Sequence, residues 1–220
     1  LKKDNKVLCL EPSEGLLACD RNGEGRMVEP ELIKLAISSA ILQISRKGSL
    51  QHDWEGLRLL ATAGPTVEAL DPARLFSNKS SGRMGVLIAQ VARLRGAEVD
   101  LVHGPLQLPK EWLEGLRVYP VKEASAMQKT LAELQSFADA VSMAAAIADF
   151  RVEGGVKSQK IEKNLLLASL KGLEEVPDLL KELAIKKPKK QALLGFAALT
   201  GDDAKIQQGA EKKRREKGCH

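Results

Sequence analysis

From residue 57 onward, apolar and polar positions follow two alternating rhythms. Short, nearly continuous apolar runs occupy Leu57–Ala61, Glu98–Val102, Ala140–Ile147 and Ala192–Ala198. Such runs read as strands buried on both faces. Arg117–Tyr119 and Asn164–Leu170 read as two further strands. Between them the period becomes helical. Met84, Leu87, Ile88, Val91 and Leu94 share one helix face, and Glu123–Phe137, Pro177–Ile185 and the charged Asp202–Lys217 are the other predicted helices. Strand–helix alternation of this kind predicts α/β architecture, a Rossmann-like three-layer sandwich around a mostly parallel sheet. Ligands of such sheets sit at the carboxyl ends of the strands. The loops after Ala61, Ile147 and Ala198 are therefore where chemistry is expected.

Upstream of residue 57 the rhythm is broken. Val7–Leu10 reads as a short strand and Pro12–Met27 as a loop with three glycines. Glu29-Pro30-Glu31 opens a helix to about Leu42, with Pro in the first turn and acids near the N-terminus. Ser45–Trp54 is polar and aperiodic. The expected organisation is a short unit at 1–45, a linker at 46–56 and the main domain at 57–220. The chain opens on Leu1 and stops soon after its last helix, without a closing strand, so a fragment is expected.

Composition narrows the function. Only 3% of residues are aromatic, so the core is aliphatic and a stacking platform for single-stranded nucleic acid is not expected. A net charge of +5 fits small anionic ligands. No apolar run is long enough to cross a membrane. The three cysteines, Cys9, Cys19 and Cys219, are odd in number and lack metal-ligand spacing, so reduced thiols in a cytoplasmic protein are expected.

Five stretches carry candidate chemistry. Thr62–Gly85 is a long Gly-, Pro- and Ser-rich loop ending in Ser80-Ser81-Gly82 at a helix start. Unsatisfied N–H groups and the helix dipole favour an anion there, and a purely structural N-cap fits as well. Asp149 follows the small residues Met143-Ala144-Ala145-Ala146 and suits a ribose hydroxyl or a metal-bound water, or simply caps a turn. Lys160 sits in a Gly- and Lys-rich loop that could close over a triphosphate or remain a solvated basic loop. Phe196 follows Gly195 at a strand end and could stack on a base or belong to the core. Lys213 and Lys217 are four apart on one helix face, where they could meet phosphates or water.

Taken in order, the Thr62–Gly85 stretch, Ala144-Ala145-Ala146-Ile147-Ala148-Asp149-Phe150-Arg151, Lys160-Ile161-Glu162-Lys163 and Leu194-Gly195-Phe196-Ala197-Ala198 resemble phosphopantothenoylcysteine synthetase, from about Leu57 to the end. Residues 1–45 resemble the tail of the partner flavoprotein decarboxylase. Cys19 falls at that family's proton-donor position, in Ala18-Cys19-Asp20-Arg21 where Ala-Cys-Gly-Asp is usual. The FMN-binding body and catalytic His have no counterpart, so decarboxylation is not expected of this chain. The resemblance implies a CTP- and Mg²⁺-dependent ligase that activates 4′-phosphopantothenate as an acyl-cytidylate and passes it to cysteine. It implies Asn78 on the intermediate and Lys160 at the activation step. It also implies a CTP site from Ser80, Ser81, Gly82, Met143, Ala144, Ala145, Asp149, Lys160, Val176, Pro177, Asp178, Leu179, Phe196, Lys213 and Lys217. Asp149 would meet the ribose and Phe196 the cytosine. A homodimer is implied for the full-length protein. No metal ligands are read.

Four positions depart from the pattern. Val67 stands for an Arg, Glu162 for a Lys, Val176 for an Asn and Leu199 for a Glu. A catalytically impaired nucleotide-binding fragment is therefore the alternative. A dinucleotide-binding oxidoreductase is disfavoured, since no Gly-x-Gly-x-x-Gly follows the first strand.

Overall fold

The computed structural model describes residues 7–16, 19–48, 50, 52–166 and 170–220. In chain order come β1 (Ser13–Leu16), β2 (Asn22–Arg26), α1 (Pro30–Lys47), β3 (Arg58–Ala63), β4 (Val67–Asp71), β5 (Arg74–Ser77) and α2 (Arg83–Leu94). Then follow β6 (Glu98–His103), β7 (Arg117–Pro120), α3 (Ala124–Leu134), β8 (Ala140–Met143), β9 (Phe150–Val152) and β10 (Leu173–Glu175). The chain closes with α4 (Leu179–Lys186), β11 (Ala192–Gly195) and α5 (Asp203–Lys217).

The central sheet has five parallel strands in the order β11-β8-β3-β6-β7. Period-two alternation splits its side chains between two cores. Leu59, Ala61, Ala63, Val99 and Leu101 pack with Val86 and Ala89 of α2, Leu32 of α1 and Trp112. Leu60, Val102, Val141, Met143 and Leu193 pack with Met127 and Leu131 of α3 and Leu179 and Leu183 of α4. These are the three layers expected. From β3 the chain moves outward to β6 and β7, then returns past β3 to β8 and β11. The order reverses between β3 and β8, which places the topological switch point there.

Several elements differ from the sequence expectation. The Thr62–Gly85 stretch is not all loop: β4 and β5 form a hairpin within it. Pro12–Met27 likewise contains the β1–β2 hairpin. The helix expected to end near Leu42 runs to Lys47, where Gly48 takes a left-handed φ of 74° and donates its N–H to the Ile44 carbonyl at 2.8 Å. Val7–Leu10 forms no strand. The strand expected over Ala140–Ile147 stops at Met143, because the backbone beyond turns to bond the loop after β3. The strand expected over Asn164–Leu170 is absent among the described residues, and residues 167–169 lie outside them. Its place is taken by β10, antiparallel to β9 in what reads as loop.

Candidate functional site

At the switch point two loops are sewn together. The Thr62 hydroxyl accepts the Ala145 N–H at 2.9 Å and the Thr66 hydroxyl accepts the Ala148 N–H at 2.9 Å. The Ala146 N–H donates to the Gly64 carbonyl at 2.9 Å, and the Thr66 N–H to the Ala146 carbonyl at 3.1 Å. Both threonines are fully buried. Close approach here depends on glycines. A Cβ on Gly104 would lie 1.6 Å from the Pro65 carbonyl oxygen, and one on Gly85 would lie 2.3 Å from the Thr62 carbonyl oxygen. The second contact brings α2 onto β3. Gly64 and Gly82 both need left-handed backbone, with φ of 75° and 79°.

The hairpin continues this frame. The Ser77 hydroxyl donates to the Thr66 carbonyl at 2.9 Å, and Asn78 Nδ2 donates to the Ile147 carbonyl at 2.8 Å. Asn78 is therefore tied to the loop that carries Asp149, with its side chain still exposed. At the hairpin's other end Asp71, buried, accepts the Ala73 N–H at 2.8 Å, pairs with Arg74 at 2.9 Å and accepts the Ile161 N–H at 3.1 Å. Arg74 donates to the Ile161 carbonyl at 3.0 Å. Lys160, exposed, is the residue before the pinned Ile161. Burial works to raise the Asp71 carboxyl, but the Ala73 and Ile161 N–H groups and Arg74 outweigh it, leaving it below the usual carboxylate range.

Beside the switch point lies a cavity of about 510 Å³. Met143, Ala145, Asp149, Val176, Pro177, Asp178, Leu179, Phe196 and Lys217 line it. The structure thus brings nine of the expected nucleotide residues to one hollow. Phe196 and Lys217 also line an adjoining cavity of about 1080 Å³, which takes in Lys213 and Leu199. Lys217 pairs with Asp178, whose other carboxylate oxygen accepts the Lys181 N–H and caps α4. Ala144, Asn78, Lys160 and Ser80–Gly82 lie outside the smaller hollow's lining. The hydroxyls of Ser80 and Ser81 accept the N–H groups of Gly82 and Arg83 at 3.3 Å each, so both serve the start of α2. Cys19 is exposed in the turn between β1 and β2, away from these residues in the chain. Next to it Asp20 takes a φ of 58°, the left-handed backbone that glycine adopts freely and aspartate tolerates.

The departures also have places. Val67 is buried at the head of β4, Glu162 is exposed beside the pinned Ile161, and Val176 packs against the α3–α4 core. Thr62, Thr66, Asp71 and Arg74 are not among the site residues expected from the sequence. Their signal was a hydroxyl, an acid and a base inside an otherwise apolar or turn-forming stretch, which resembles ordinary turn chemistry until the partner loops are placed. Among the described residues no group of three or more His, Cys, Asp or Glu could hold a metal ion. Also among them, no helix is long and apolar enough to cross a membrane.

Residues 54–220 match the family model of the DNA/pantothenate metabolism flavoprotein C-terminal domain. The chain is 41% identical over 206 residues to the coenzyme A biosynthesis bifunctional protein CoaBC of Bacillus subtilis (strain 168), covering 93% of this chain and 47% of that protein. It thus spans about half the length of the curated relatives it matches. A crystal structure of the C-terminal domain of coenzyme A biosynthesis bifunctional protein CoaBC aligns with a TM-score of 0.62 and 38% identity, covering 77% of this chain and 76% of that one. A Cab2 mutant in complex with phosphopantothenate-cysteine shares the fold with a TM-score of 0.57 at 18% identity, covering 84% of this chain and 75% of that one.

Proposed function

The chain belongs to the DNA/pantothenate metabolism flavoprotein C-terminal domain family, and from that premise we propose that it carries the ligase step joining 4′-phosphopantothenate to cysteine at the expense of CTP. The observation that supports this reading best is the hollow lined by Met143, Ala145, Asp149, Val176–Leu179 and Phe196 beside the switch point. A hollow of about 510 Å³ falls within the usual range for a small ligand of this size. Coenzyme A biosynthesis is the role named for the Bacillus subtilis relative.

The chemistry runs in two displacements. The pantothenate carboxylate attacks the α-phosphorus of CTP; the new O–P bond forms as the bond to pyrophosphate breaks. The cysteine amine then attacks the acyl carbon, the amide forms, CMP leaves, and the amine gives up a proton. Phosphoryl transfer of this kind is governed by positioning and by charge on the phosphate oxygens. Asp149 is assigned to the ribose, exposed Phe196 to the cytosine face, and Lys213 to phosphate, with Lys217 held near it by Asp178. Lys160 meets the charge that develops during activation. Asn78 can donate and accept but carries no transferable proton near neutral pH, so it positions the acyl-cytidylate.

Mg²⁺ commonly binds through substrate phosphates and water with few protein ligands. Such an ion would be carried in on the triphosphate and offset phosphate charge, with Asp149, Glu175 and Asp178 the carboxylates that line the hollow. Ser80, Ser81 and Gly82 are assigned to the phosphate side of the site. A homodimer and a cytoplasmic setting complete the proposal. The alternative is an impaired nucleotide-binding fragment, favoured by Val67, Glu162, Val176 and Leu199.

Pyrophosphate release is the test. The chain is incubated with CTP, Mg²⁺ and 4′-phosphopantothenate, with and without cysteine. Release together with phosphopantothenoylcysteine and CMP supports the ligase. Stabilisation by CTP without turnover supports the impaired fragment. Neither stabilisation nor turnover overturns both.

A further inference from the structure

The β4–β5 hairpin lies next to both residues assigned to the reacting centre, at opposite ends: Asn78 directly follows it, and its turn holds Ile161, the residue after Lys160. Near Ser77 it delivers Asn78 to the Ile147 carbonyl. At its turn, Asp71 and Arg74 grip both backbone polar groups of one residue, Ile161. The Asp71 carboxylate accepts the Ile161 N–H at 3.1 Å, and Arg74 donates to the Ile161 carbonyl at 3.0 Å. The loop is held once more where the Lys157 N–H donates to the Leu70 carbonyl at 3.1 Å. Residues 157–161 therefore lie along the hairpin, and Lys160 leaves the backbone between two fixed points.

We infer that Asp71 is a positioning residue that sets Lys160 relative to Asn78, through the Asp71–Arg74 grip on the backbone N–H and carbonyl of Ile161. The inference rests on the ligase reading for its kinetic consequence, but its structural half does not. A hairpin turn needs only the contact to the Ala73 N–H. A carboxylate that also holds an arginine and a distant N–H, across ninety residues of chain, does more than close a turn. The charge on Asp71 matters as well: a neutral side chain would hold Arg74 less firmly, and Arg74 supplies the second half of the grip. Since Lys160 acts by placing a cation, a small shift of its backbone lowers the rate without changing how the nucleotide's base and ribose are held.

Asp71→Ala and Asp71→Asn are compared with the unaltered chain by amide hydrogen exchange and by pyrophosphate release. In Asp71→Ala, exchange at Ile161 and its neighbours is expected to rise about tenfold while β3 and β8 stay protected. The turnover number should fall about tenfold or more with KM for CTP within about twofold. Asp71→Asn keeps the shape and one acceptor oxygen and should fall between. It also carries the test if Asp71→Ala does not fold. Unchanged exchange at Ile161 in the asparagine variant, or raised exchange with unchanged turnover, overturns the inference. If the unaltered chain releases no pyrophosphate, the ligase reading fails. Exchange at Ile161, and reactivity of Lys160 toward an amine-specific reagent, then still decide whether Asp71 fixes the loop.

Discussion

Replacing Thr66 with valine keeps the shape of the side chain and removes one acceptor. The Thr66 hydroxyl takes the Ala148 N–H at 2.9 Å in a place that water does not reach, with Thr66 at 0% and Ala148 at 5% exposure. Valine opens no cavity, so the packing contribution is close to neutral. What remains is an N–H left without its partner in a dry loop, which costs about 1–3 kcal/mol. Valine also relieves the burial of the hydroxyl itself, so the lower half of that range, about 1–2 kcal/mol, is expected. For a chain of this length this lowers the melting temperature by about 2–8 °C. The effect on function is more specific. Ala148 lies between Ile147, which receives Asn78, and Asp149 in the hollow. Loosening it should weaken CTP binding beyond what the stability loss explains at temperatures where the variant is folded. Urea denaturation gives the first number and calorimetric titration with CTP the second. A stability change below about 0.5 kcal/mol, the scatter of a neutral surface substitution, together with unchanged CTP affinity, would refute the view that buried threonines hold this loop.

Gly104→Ala places a Cβ 1.6 Å from the Pro65 carbonyl oxygen, so the loop after β3 must move; a loss of about 1–3 kcal/mol or more is expected by denaturation, and a melting curve like that of the unaltered chain would contradict it. Asp100, buried, accepts from Arg58 at 2.7 Å, Arg117 at 2.8 Å and Tyr119 at 3.2 Å. Burial works against its charge, but these partners prevail and hold the carboxyl below its usual range. Its stabilisation is therefore present above the unfolded value of about 4 and is lost as pH falls through the lower folded value. Asp100→Asn should be less stable near neutrality and show a flatter acid limb, measured by melting from pH 7 to pH 2; parallel curves would count against the network. Lys160→Gln should abolish pyrophosphate release while leaving CTP affinity largely intact, and unchanged single-turnover kinetics would remove Lys160 from the activation step.

The layers were legible in the sequence because the two rhythms are strong. Leu59, Leu60 and Ala61 form a strand buried on both faces as their run suggests, and the apolar period of Met84 to Leu94 marks a helix. The face that helix buries most deeply is the small-residue one, Gly85, Val86, Ala89 and Ala92, while Met84 is exposed, because α2 lies close on β3. The hairpin was not legible. Val67–Asp71 and Arg74–Ser77 are short, with Pro72 at the turn between them, so they read as loop until the Ala148 and Ile161 N–H groups arrive from a distant part of the chain. The end of β8 was hidden for the same reason: Ala144–Ala148 is apolar enough for a strand, and only the presence of Gly64, Thr66 and Asn78 beside it turns its backbone away.

For the site, the sequence by itself determined the residue types and, through the resemblance, which loops to watch. Local propensity and apolar period are properties of neighbouring residues, so strands, helices and the parallel class follow from them. Tertiary structure alone decided three things. It gathered Met143, Val176 to Leu179 and Phe196 around one hollow. It turned Lys217 toward Asp178 and the serine hydroxyls toward the start of α2. It also showed that Thr62, Thr66 and Asp71, inconspicuous in the sequence, are the residues whose buried oxygens hold the loops together. The physical reason is that a buried N–H must find an acceptor somewhere, and nothing in a linear sequence says which side chain eighty residues away will supply it.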